Sequence, residues 1–370
     1  MQTNSHLTDT QHIVVLGAGY AGLNTALRVS PYAKVTLIDP SDRFTERVRL
    51  HQLTGESPDV THPLVELLRG TGIRHVAARA VDIDLAGRQV RTDDGRSVGY
   101  DRLVYALGSV TDTRAVGDRV HTAESAVEVR KRLLGASGRI AVVGGGLTGI
   151  ELASEIAESH PGWETRLLTA GVVGTGLSDK GRTHIRKTLG VMGVQVEEGR
   201  RVESVDEIDA DLVVWSAAMR PVTQLAAKAG LELDPAGRIV VDRTLRSTTD
   251  PAVYAAGDSA ATSLRMACAT AGPTGAHVAG SLLADLRGLP AKPLDFRYVV
   301  QCLSLGRGEG LIQPVHADDT PRSTVLTGSA AAFVKEQVVR HTVRTLHVNA
   351  HRARAIRKAE TGGDAERTAA

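Results

Sequence analysis

The chain has 370 residues, 42% of them hydrophobic and 3% aromatic, and its 44 basic and 42 acidic residues leave a formal charge of +2. This length predicts two or three domains, and the hydrophobic content is ordinary for a globular protein. The balanced charge and the few aromatic side chains give no reason to expect a nucleic-acid partner, because binding one would need a basic surface or aromatic stacking platforms.

Targeting and covalent signals are sparse. Residues 1–10 are polar and lack the apolar core of a signal peptide, and no run reaches the ~18 apolar residues of a membrane-spanning helix. Cys268 and Cys302 form no closely spaced pair, and the histidines have no metal-binding spacing. We therefore expect a cytoplasmic protein without a disulfide framework or a metal site.

The first informative pattern is a glycine fingerprint. Residues 17–22 read Gly-Ala-Gly-Tyr-Ala-Gly and follow the apolar run 12–16. At a strand-to-helix turn, Gly17 permits the tight turn, Gly19 lets the backbone approach a pyrophosphate, and Gly22 lets helix and strand pack closely. The free N–H groups of the helix N-terminus then face the phosphates. The pattern predicts a dinucleotide site.

An acidic residue supports the first site. The next apolar run ends in Asp39, which lies 39 − 17 = 22 residues after Gly17. A carboxylate at this distance is expected to accept a hydrogen bond from a ribose 2′-hydroxyl.

The fingerprint occurs a second time. Residues 144–149 read Gly-Gly-Gly-Leu-Thr-Gly, so that Gly144, Gly146 and Gly149 take the same three roles. The following strand ends at Thr169, where an acidic residue would select NADH. Its loss removes that discrimination without building a 2′-phosphate site, so NADH and NADPH both stay open.

A third segment closes the pattern. Residues 253–258 read Val-Tyr-Ala-Ala-Gly-Asp, a strand of small residues that ends in Gly257 and Asp258. This places a carboxylate at the carboxyl edge of a sheet, where parallel sheets bind their ligands.

The three motifs in this order, with the bridge 100–109, resemble the two-dinucleotide-binding-domain flavoproteins, and within them the type II NADH:quinone dehydrogenase and apoptosis-inducing-factor-like branch. The resemblance covers residues 12–346. It implies an α/β fold with two Rossmann-like domains. Their expected bounds are 12–120 and 245–290 for the FAD domain, 121–244 for the NAD(P)H domain, 291–350 for a small C-terminal α+β interface segment, and 351–370 for a disordered tail.

The resemblance also implies roles for individual residues. Glu151 is expected near the nicotinamide, where it tunes the reaction, and a helix that begins near residue 265 is expected to point its N-terminus at the flavin. Arg47 or Arg49 is expected to neutralise a flavin phosphate, with a solvated surface charge as the alternative. The cofactor-binding residues are Gly17, Gly19, Tyr20, Ala21, Gly22, Asp39, Arg49, Val81, Ala106, Gly108, Gly257 and Asp258 for FAD, and Gly144, Gly146, Gly149, Thr169 and Ala217 for NADH or NADPH.

Two departures from the family pattern change the expectation. Residues 46–51 hold no cysteine pair where disulfide reductases carry one, so thiol–disulfide reduction is not expected. The C-terminal stretch 333–346 is basic but has no Trp or Tyr anchor and no clean apolar stripe. We expect it to pack on the FAD domain or to form a homodimer contact, and a peripheral membrane contact is the less favoured alternative.

The expected function is an FAD-dependent NAD(P)H oxidoreductase. A hydride passes from the nicotinamide to the flavin, and the electrons continue to a quinone or another small redox-active organic acceptor. Two alternatives stay open. One is a reductase of a small iron–sulfur or rubredoxin-like carrier, and the other is a redox-responsive NADH-binding flavoprotein with little turnover.

Overall fold

A computed structural model describes residues 11–55 and 59–368. The expectation that residues 1–10 carry no signal peptide lies outside this range. Within it, no helix combines the length and apolarity required to cross a bilayer.

The first part of the chain builds most of one nucleotide-binding unit around the first glycine turn. Its elements are β1 (His12–Leu16), α1 (Tyr20–Val29), β2 (Lys34–Ile38), β3 (Arg43–Thr45), a 3-10 helix (Arg47–Thr54), β4 (Thr61–Pro63), α2 (Leu64–Leu68), β5 (Ile73–Val76), β6 (Ala80–Asp84), β7 (Gln89–Thr92), β8 (Ser97–Gly99), β9 (Arg102–Tyr105) and β10 (Ser109–Thr111).

The second unit follows without interruption. Its elements are β11 (His121–Thr122), α3 (Ala126–Leu133), β12 (Gly138–Val143), α4 (Leu147–Ser159), β13 (Trp163–Leu168), α5 (Asp179–Val191), β14 (Gln195–Glu197) and β15 (Leu212–Trp215). The strands form one parallel sheet in the order β11-β15-β12-β13-β14. The second glycine turn follows β12, at the carboxyl edge where such sheets bind ligands.

The chain then returns to the first unit. The returning elements are β16 (Met219–Pro221), α6 (Gln224–Lys228), β17 (Ile239–Val240), β18 (Val253–Ala255), β19 (Ala260–Ala261) and α7 (Cys268–Leu286). Strand β18 completes a parallel sheet in the order β18-β9-β1-β2-β5, and β16 pairs with β10 where the chain passes between the units. Two parallel Rossmann-like sheets, as expected, therefore carry the two glycine turns.

One expected boundary is wrong. The second unit was expected to run to residue 244, but Ala226, Leu231 and Ile239 are buried in the same core cluster as Val14 and Tyr105 of the first unit. The return therefore begins directly after β16. A short element without a nucleotide-binding motif belongs to the unit whose core buries its apolar side chains. The sequence does not show which core this is, because the core residues lie far away in the chain.

The C-terminal segment adds an antiparallel sheet and a long helix. These elements are β20 (Val300–Ser304), β21 (Gly310–Pro314), β22 (Leu326–Thr327) and α8 (Ser329–Thr368). Leu346 and Ala350 of α8 lie in the core of the first unit, and the Asn349 amide donates to Asn24 Oδ1 of α1 at 3.0 Å. The helix therefore packs on the first unit, as favoured from the sequence.

The expectation of a disordered tail from residue 351 is also wrong for the part of it that is described. Helix α8 continues past this position, and Ala353 is buried. The Arg354 guanidinium donates to the main-chain carbonyls of Glu66, Leu67 and Arg69 at 2.6–3.1 Å. These carbonyls lie at the end of α2 and have no intrahelical donor, so α8 supplies what the short helix lacks.

Candidate functional site

The first glycine turn has the geometry that its expected roles require. Gly17 has φ +98°, and a Cβ there would lie 2.4 Å from the carbonyl oxygen of Ala106. A Cβ on Gly22 would lie 1.9 Å from the Gly17 carbonyl oxygen, so α1 packs against the turn only with glycine here. A Cβ on Gly19 meets nothing within 4 Å, which leaves open space for a ligand.

The N-terminus of α1 is open towards the same space. Gly19 is its N-cap and no side chain caps the helix, so the first-turn N–H groups of Tyr20 and Ala21 have no intrahelical acceptor. The Tyr20 ring packs edge-on against the Phe44 ring, with 5.0 Å between the ring centroids. The backbone N–H of Tyr20 is therefore the group of this residue that can bind a phosphate. Asp39 Oδ2 accepts a hydrogen bond of 2.7 Å from the Ala18 N–H, which holds the carboxylate beside the turn.

One carboxylate oxygen of Asp258 has no hydrogen-bond donor among the described residues and could accept a hydrogen bond from a ligand. Ser109 Oγ donates to its Oδ2 at 2.6 Å, whereas Oδ1 is buried and has no hydrogen-bond partner among the described residues. The neighbouring main chain is fixed, because Gly108 N–H donates to Ser259 Oγ and Gly257 N–H donates to Thr274 Oγ1. A buried carboxylate oxygen without a donor is costly, and a ligand hydroxyl would satisfy it.

The second glycine turn repeats the geometry of the first. Gly144 has φ +127°, and a Cβ there would lie 2.7 Å from the Ala217 nitrogen. A Cβ on Gly149 would lie 1.9 Å from the Gly144 carbonyl oxygen, whereas one on Gly146 meets nothing within 4 Å. A cavity of about 360 Å³, here called the nucleotide cavity, lies over this turn and is also lined by Thr169 and by the segments 200–202 and 215–218.

A second cavity of about 390 Å³, the central cleft, lies where the two units and the C-terminal segment meet. Asp258 and the N-terminus of α7 line it from the first unit, α4 lines it from the second, and β20 and α8 close it from the C-terminal segment. Helix α7 begins at Cys268 without a side-chain cap. Its free N–H groups and positive dipole end therefore lie at the cleft.

A buried charged cluster forms one wall of the central cleft. Glu151 Oε1 accepts from Lys335 Nζ at 2.7 Å and from the Ser304 N–H at 3.1 Å, and its Oε2 lies 3.7 Å from His51 Nδ1. Ser304 Oγ lies 3.1 Å from His51 Nε2. Glu151, Lys335 and His51 are each at most 7% exposed. The cluster joins α4, β20, α8 and the 3-10 helix.

The electrostatics of the cluster fix its protonation. Burial disfavours the charged form of Glu151, but Lys335 and His51 outweigh it and lower the pKa of the carboxyl group. The same pairing raises the pKa of Lys335 against burial. Burial lowers the pKa of His51 to about 4. At neutral pH the wall therefore holds an ionised carboxylate, a protonated amine and a neutral imidazole.

The outer cavity, of about 470 Å³, lies on the other side of this wall. Arg49, Ser304, Arg307 and the exposed Phe333 line it. Lys335 lines both the outer cavity and the central cleft. One buried ammonium group therefore separates an open cavity from the cleft.

Both cysteines face the central cleft as free thiols. Burial raises the pKa of Cys268 to about 11 and also raises that of Cys302. Both groups are therefore thiols at neutral pH, and the thiolate is the nucleophilic form.

Two expected site residues have other surroundings. The Arg49 guanidinium donates to Glu46, Gln52 and Glu336 at 2.8–3.2 Å, so it ties α8 to the 3-10 helix. Each of its nitrogens has a side-chain partner, whereas Arg47 lines the central cleft. The expectation that one of these two arginines neutralises a flavin phosphate stays a prediction. Val81 lies in β6 and is 42% exposed, and the adenine contact expected of its backbone stays a prediction.

Sequence reasoning identified Glu151 but missed Lys335, His51 and Ser304. The sequence contains a signal for Lys335, because the apolar residues Ala331 and Val339 lie four residues to either side of it. A spacing of four places all three on one helix face. A lysine at the centre of a buried face implies a buried partner.

Comparison with known proteins identifies the scaffold. The sequence profile of the family described as "Pyridine nucleotide-disulphide oxidoreductase" matches residues 11–281. Among solved structures, the sulfide:quinone oxidoreductase of Aquifex aeolicus is similar in fold, with a TM-score of 0.78 and 18% identity over 92% of both chains.

Three curated relatives are similar over most of the chain. An NADH dehydrogenase-like protein of Mycobacterium tuberculosis H37Rv is 30% identical and covers 88% of this chain and 92% of its own. An alternative NAD(P)H-ubiquinone oxidoreductase of Arabidopsis thaliana is 28% identical, over 82% and 72%. A probable ferredoxin reductase of Castellaniella defragrans is 32% identical, over 76% of each chain.

Proposed function

Because the chain belongs to the pyridine nucleotide-disulphide oxidoreductase family, we propose that it is an FAD-dependent NAD(P)H oxidoreductase whose acceptor is a quinone. The glycine turn in each unit and the cleft between the units support this proposal. The choice of a quinone as the acceptor is argued from the charged wall of this cleft.

The residues of the first unit fit FAD. The open space at Gly19 and the uncapped N-terminus of α1 suit a pyrophosphate, and the buried Oδ1 of Asp258 suits a hydroxyl of the ribityl chain. When bound, FAD accepts a hydride from the nicotinamide and passes the electrons on. The N-terminus of α7 at the cleft would favour negative charge on the ring system.

The second unit fits the nicotinamide dinucleotide. Gly146 leaves open space beside an uncapped helix N-terminus, as Gly19 does in the first unit. Thr148 and Glu151 follow on α4 and line the central cleft. The donor would therefore extend from the nucleotide cavity along the start of α4 towards the cleft.

The observation that carries the choice of a quinone is the position of Lys335. Oxidation of NAD(P)H by a quinone consumes one proton: NAD(P)H + H⁺ + quinone gives NAD(P)⁺ + hydroquinone. Lys335 presents a protonated amine to the cleft, and Glu151 keeps that amine charged despite its burial. The outer cavity, which Lys335 also lines, gives a route by which the amine regains a proton from water.

Two alternatives to quinone reduction remain, a reductase of a small electron carrier and a redox-responsive protein. A one-electron iron–sulfur or rubredoxin-like carrier takes up no proton, so it would give the buried ammonium no chemical role. Because one of the relatives is a probable ferredoxin reductase, the experiment below also tests this alternative. A redox-responsive protein would hold its reduced flavin for minutes rather than turn over.

The experiment is anaerobic stopped-flow spectroscopy. The FAD-loaded protein is reduced with one equivalent of NADH or NADPH and mixed with menadione, with oxidised rubredoxin or with ferricyanide. We expect rapid reoxidation by menadione. Fast reoxidation by rubredoxin alone would favour the carrier reductase, and slow reoxidation by all three would favour the redox-responsive protein.

A variant pair tests the role of Lys335. We expect Lys335→Met to slow reoxidation by menadione at least tenfold and to slow reoxidation by ferricyanide, which takes up no proton, much less. Arg344→Met removes an exposed cation from the same helix and serves as the matched control. An equal loss with both acceptors would contradict proton delivery by Lys335.

Helix α8 exposes Phe333, Val334 and Val338, together with Arg340 and Arg344, and of these Phe333 lines the outer cavity. A second copy of the chain or a membrane surface would meet the protein on this helix. Gel filtration and flotation with anionic vesicles distinguish these contacts from a monomer in solution.

A further inference from the structure

We propose that the nucleotide cavity prefers NADPH to NADH, because Arg200 and Arg201 bind a 2′-phosphate beside Thr169. This inference rests on the proposed function, since it concerns the donor of that reaction. It assigns a recognition role to two arginines that the sequence analysis did not use.

Thr169 stands at the decisive position. It follows β13 and lies so close to the glycine turn that a Cβ on Gly145 would lie 2.6 Å from its hydroxyl oxygen. Thr169, Arg200 and Arg201 all line the nucleotide cavity. The Arg200 N–H donates to the Thr169 carbonyl oxygen at 2.9 Å, which fixes the arginine segment beside this strand end. A hydroxyl here does not repel a phosphate as a carboxylate would.

Two arginines share one carboxylate at this strand end. Glu197 is shared by Arg166 and Arg200, with Arg166 Nε donating to it at 2.8 Å. Arg166, which lies in β13, therefore points at Glu197. Three further acids of this unit pair with other arginines: Glu198 with Arg186, Asp206 with Arg119 and Asp209 with Arg139.

Arg201 is the cation that remains for a ligand. Its side chain is exposed, lines the nucleotide cavity, and has no hydrogen-bond or ion-pair partner among the residues that the structure describes. A guanidinium binds phosphate oxygens with two parallel hydrogen bonds. Arg200 adds positive charge from the preceding position while it remains paired with Glu197.

An independent feature points to a ligand in the same cavity. Trp215 lines it and is 7% exposed, and its buried indole N–H has no acceptor within the described part of the chain. Buried indole N–H groups usually find an acceptor. A nucleotide would supply oxygen or ring-nitrogen acceptors here.

The test is isothermal titration calorimetry on the FAD-loaded protein with adenosine 2′,5′-bisphosphate and with 5′-AMP. The two ligands differ only in the 2′-phosphate, and bound FAD closes the first site to both. We expect the bisphosphate to bind at least tenfold more tightly, with an advantage that shrinks as salt is raised.

Two variants locate the effect. Arg201→Ala is expected to lower the affinity for the bisphosphate about tenfold and that for 5′-AMP less than threefold. Arg132→Ala removes an exposed arginine of the same unit that does not line the nucleotide cavity, and it should change neither affinity. Thr169→Glu is expected to lower the affinity for the bisphosphate more than the affinity for 5′-AMP.

The outcomes separate the two levels of the proposal. Equal affinities for both ligands, or an Arg201→Ala loss that is equal for both, would overturn the NADPH preference and leave the donor site in place. Absence of binding by either ligand would overturn the donor site itself, and the preference with it.

Discussion

Lys335 Nζ lies 2.7 Å from Glu151 Oε1, and both side chains are buried. The pair joins the C-terminal helix to the helix that follows the second glycine turn. Removing one partner of a buried ion pair leaves an uncompensated charge, whereas removing both can be nearly neutral.

The pair gives the first prediction. Lys335→Met should lower the free energy of unfolding by about 3–5 kcal/mol, and the double variant Glu151→Gln/Lys335→Met should regain most of this loss. Urea unfolding of the FAD-loaded proteins at one fixed FAD concentration measures both. Additive losses in the double variant would mean that the two groups stabilise the protein independently.

The glycine turns give the second prediction. A side chain at Gly19 or Gly146 meets open space in the protein, so valine should be tolerated by the fold and should collide only with a ligand. We expect Gly19→Val to yield folded but colourless protein. Gly146→Val should remain yellow and lose reduction by NAD(P)H. Absorption spectra before and after anaerobic addition of the donor report both, and the reverse pattern would exchange the two sites.

Asp258 gives the third prediction. Its Oδ1 is buried without a donor, and a ligand hydroxyl would form a charge-assisted hydrogen bond worth about 1.5–3 kcal/mol. Asp258→Ala should therefore weaken FAD binding by about 10- to 100-fold, as measured by flavin fluorescence after dialysis. Asp295→Ala changes an exposed carboxylate and is the control. An unchanged FAD affinity would place the cofactor away from Asp258.

Glu155 gives the fourth prediction. It is buried one turn after Glu151, and burial raises the pKa of its carboxyl group to about 7, although Arg307 opposes the shift. The folded state therefore keeps a proton that the unfolded chain loses near pH 4.3. Stability should fall as pH rises from about 4.5 to 7 and then level off.

Glu155→Gln should remove this pH dependence and stabilise the protein above pH 7 by an amount on the order of 1 kcal/mol. Urea unfolding at pH 5 and pH 8 measures the difference. Glu203→Gln, at an exposed position of the same unit, should keep the wild-type dependence. Parallel pH profiles for wild type and Glu155→Gln would show that another group titrates.

Local motifs could be predicted from the sequence. The turns at Gly17 and Gly144 depend on neighbouring residues, because the positive φ and the absent Cβ are properties of the glycine and its own helix. The same holds for Asp39 and Asp258, which directly follow or end apolar runs. Such positions are set by spacing along the chain, and spacing is what a sequence displays.

Partners that are distant in sequence could not be predicted. Lys335 is 184 residues from Glu151, and Arg49 is 287 residues from the Glu336 that holds it. The Arg354 guanidinium likewise donates to the main-chain carbonyl of Arg69, 285 residues away in the sequence. A charged side chain gives no sign in sequence of which distant group will neutralise it.

The sequence by itself determined the two nucleotide turns and the loss of the acidic residue at Thr169, since these follow from backbone geometry within one strand–turn–helix unit. The tertiary structure alone decided which unit holds residues 224–240, which arginines surround Thr169, and which buried charges line the cleft. The physical reason is that burial and charge pairing are set by packing between elements that lie far apart in the chain.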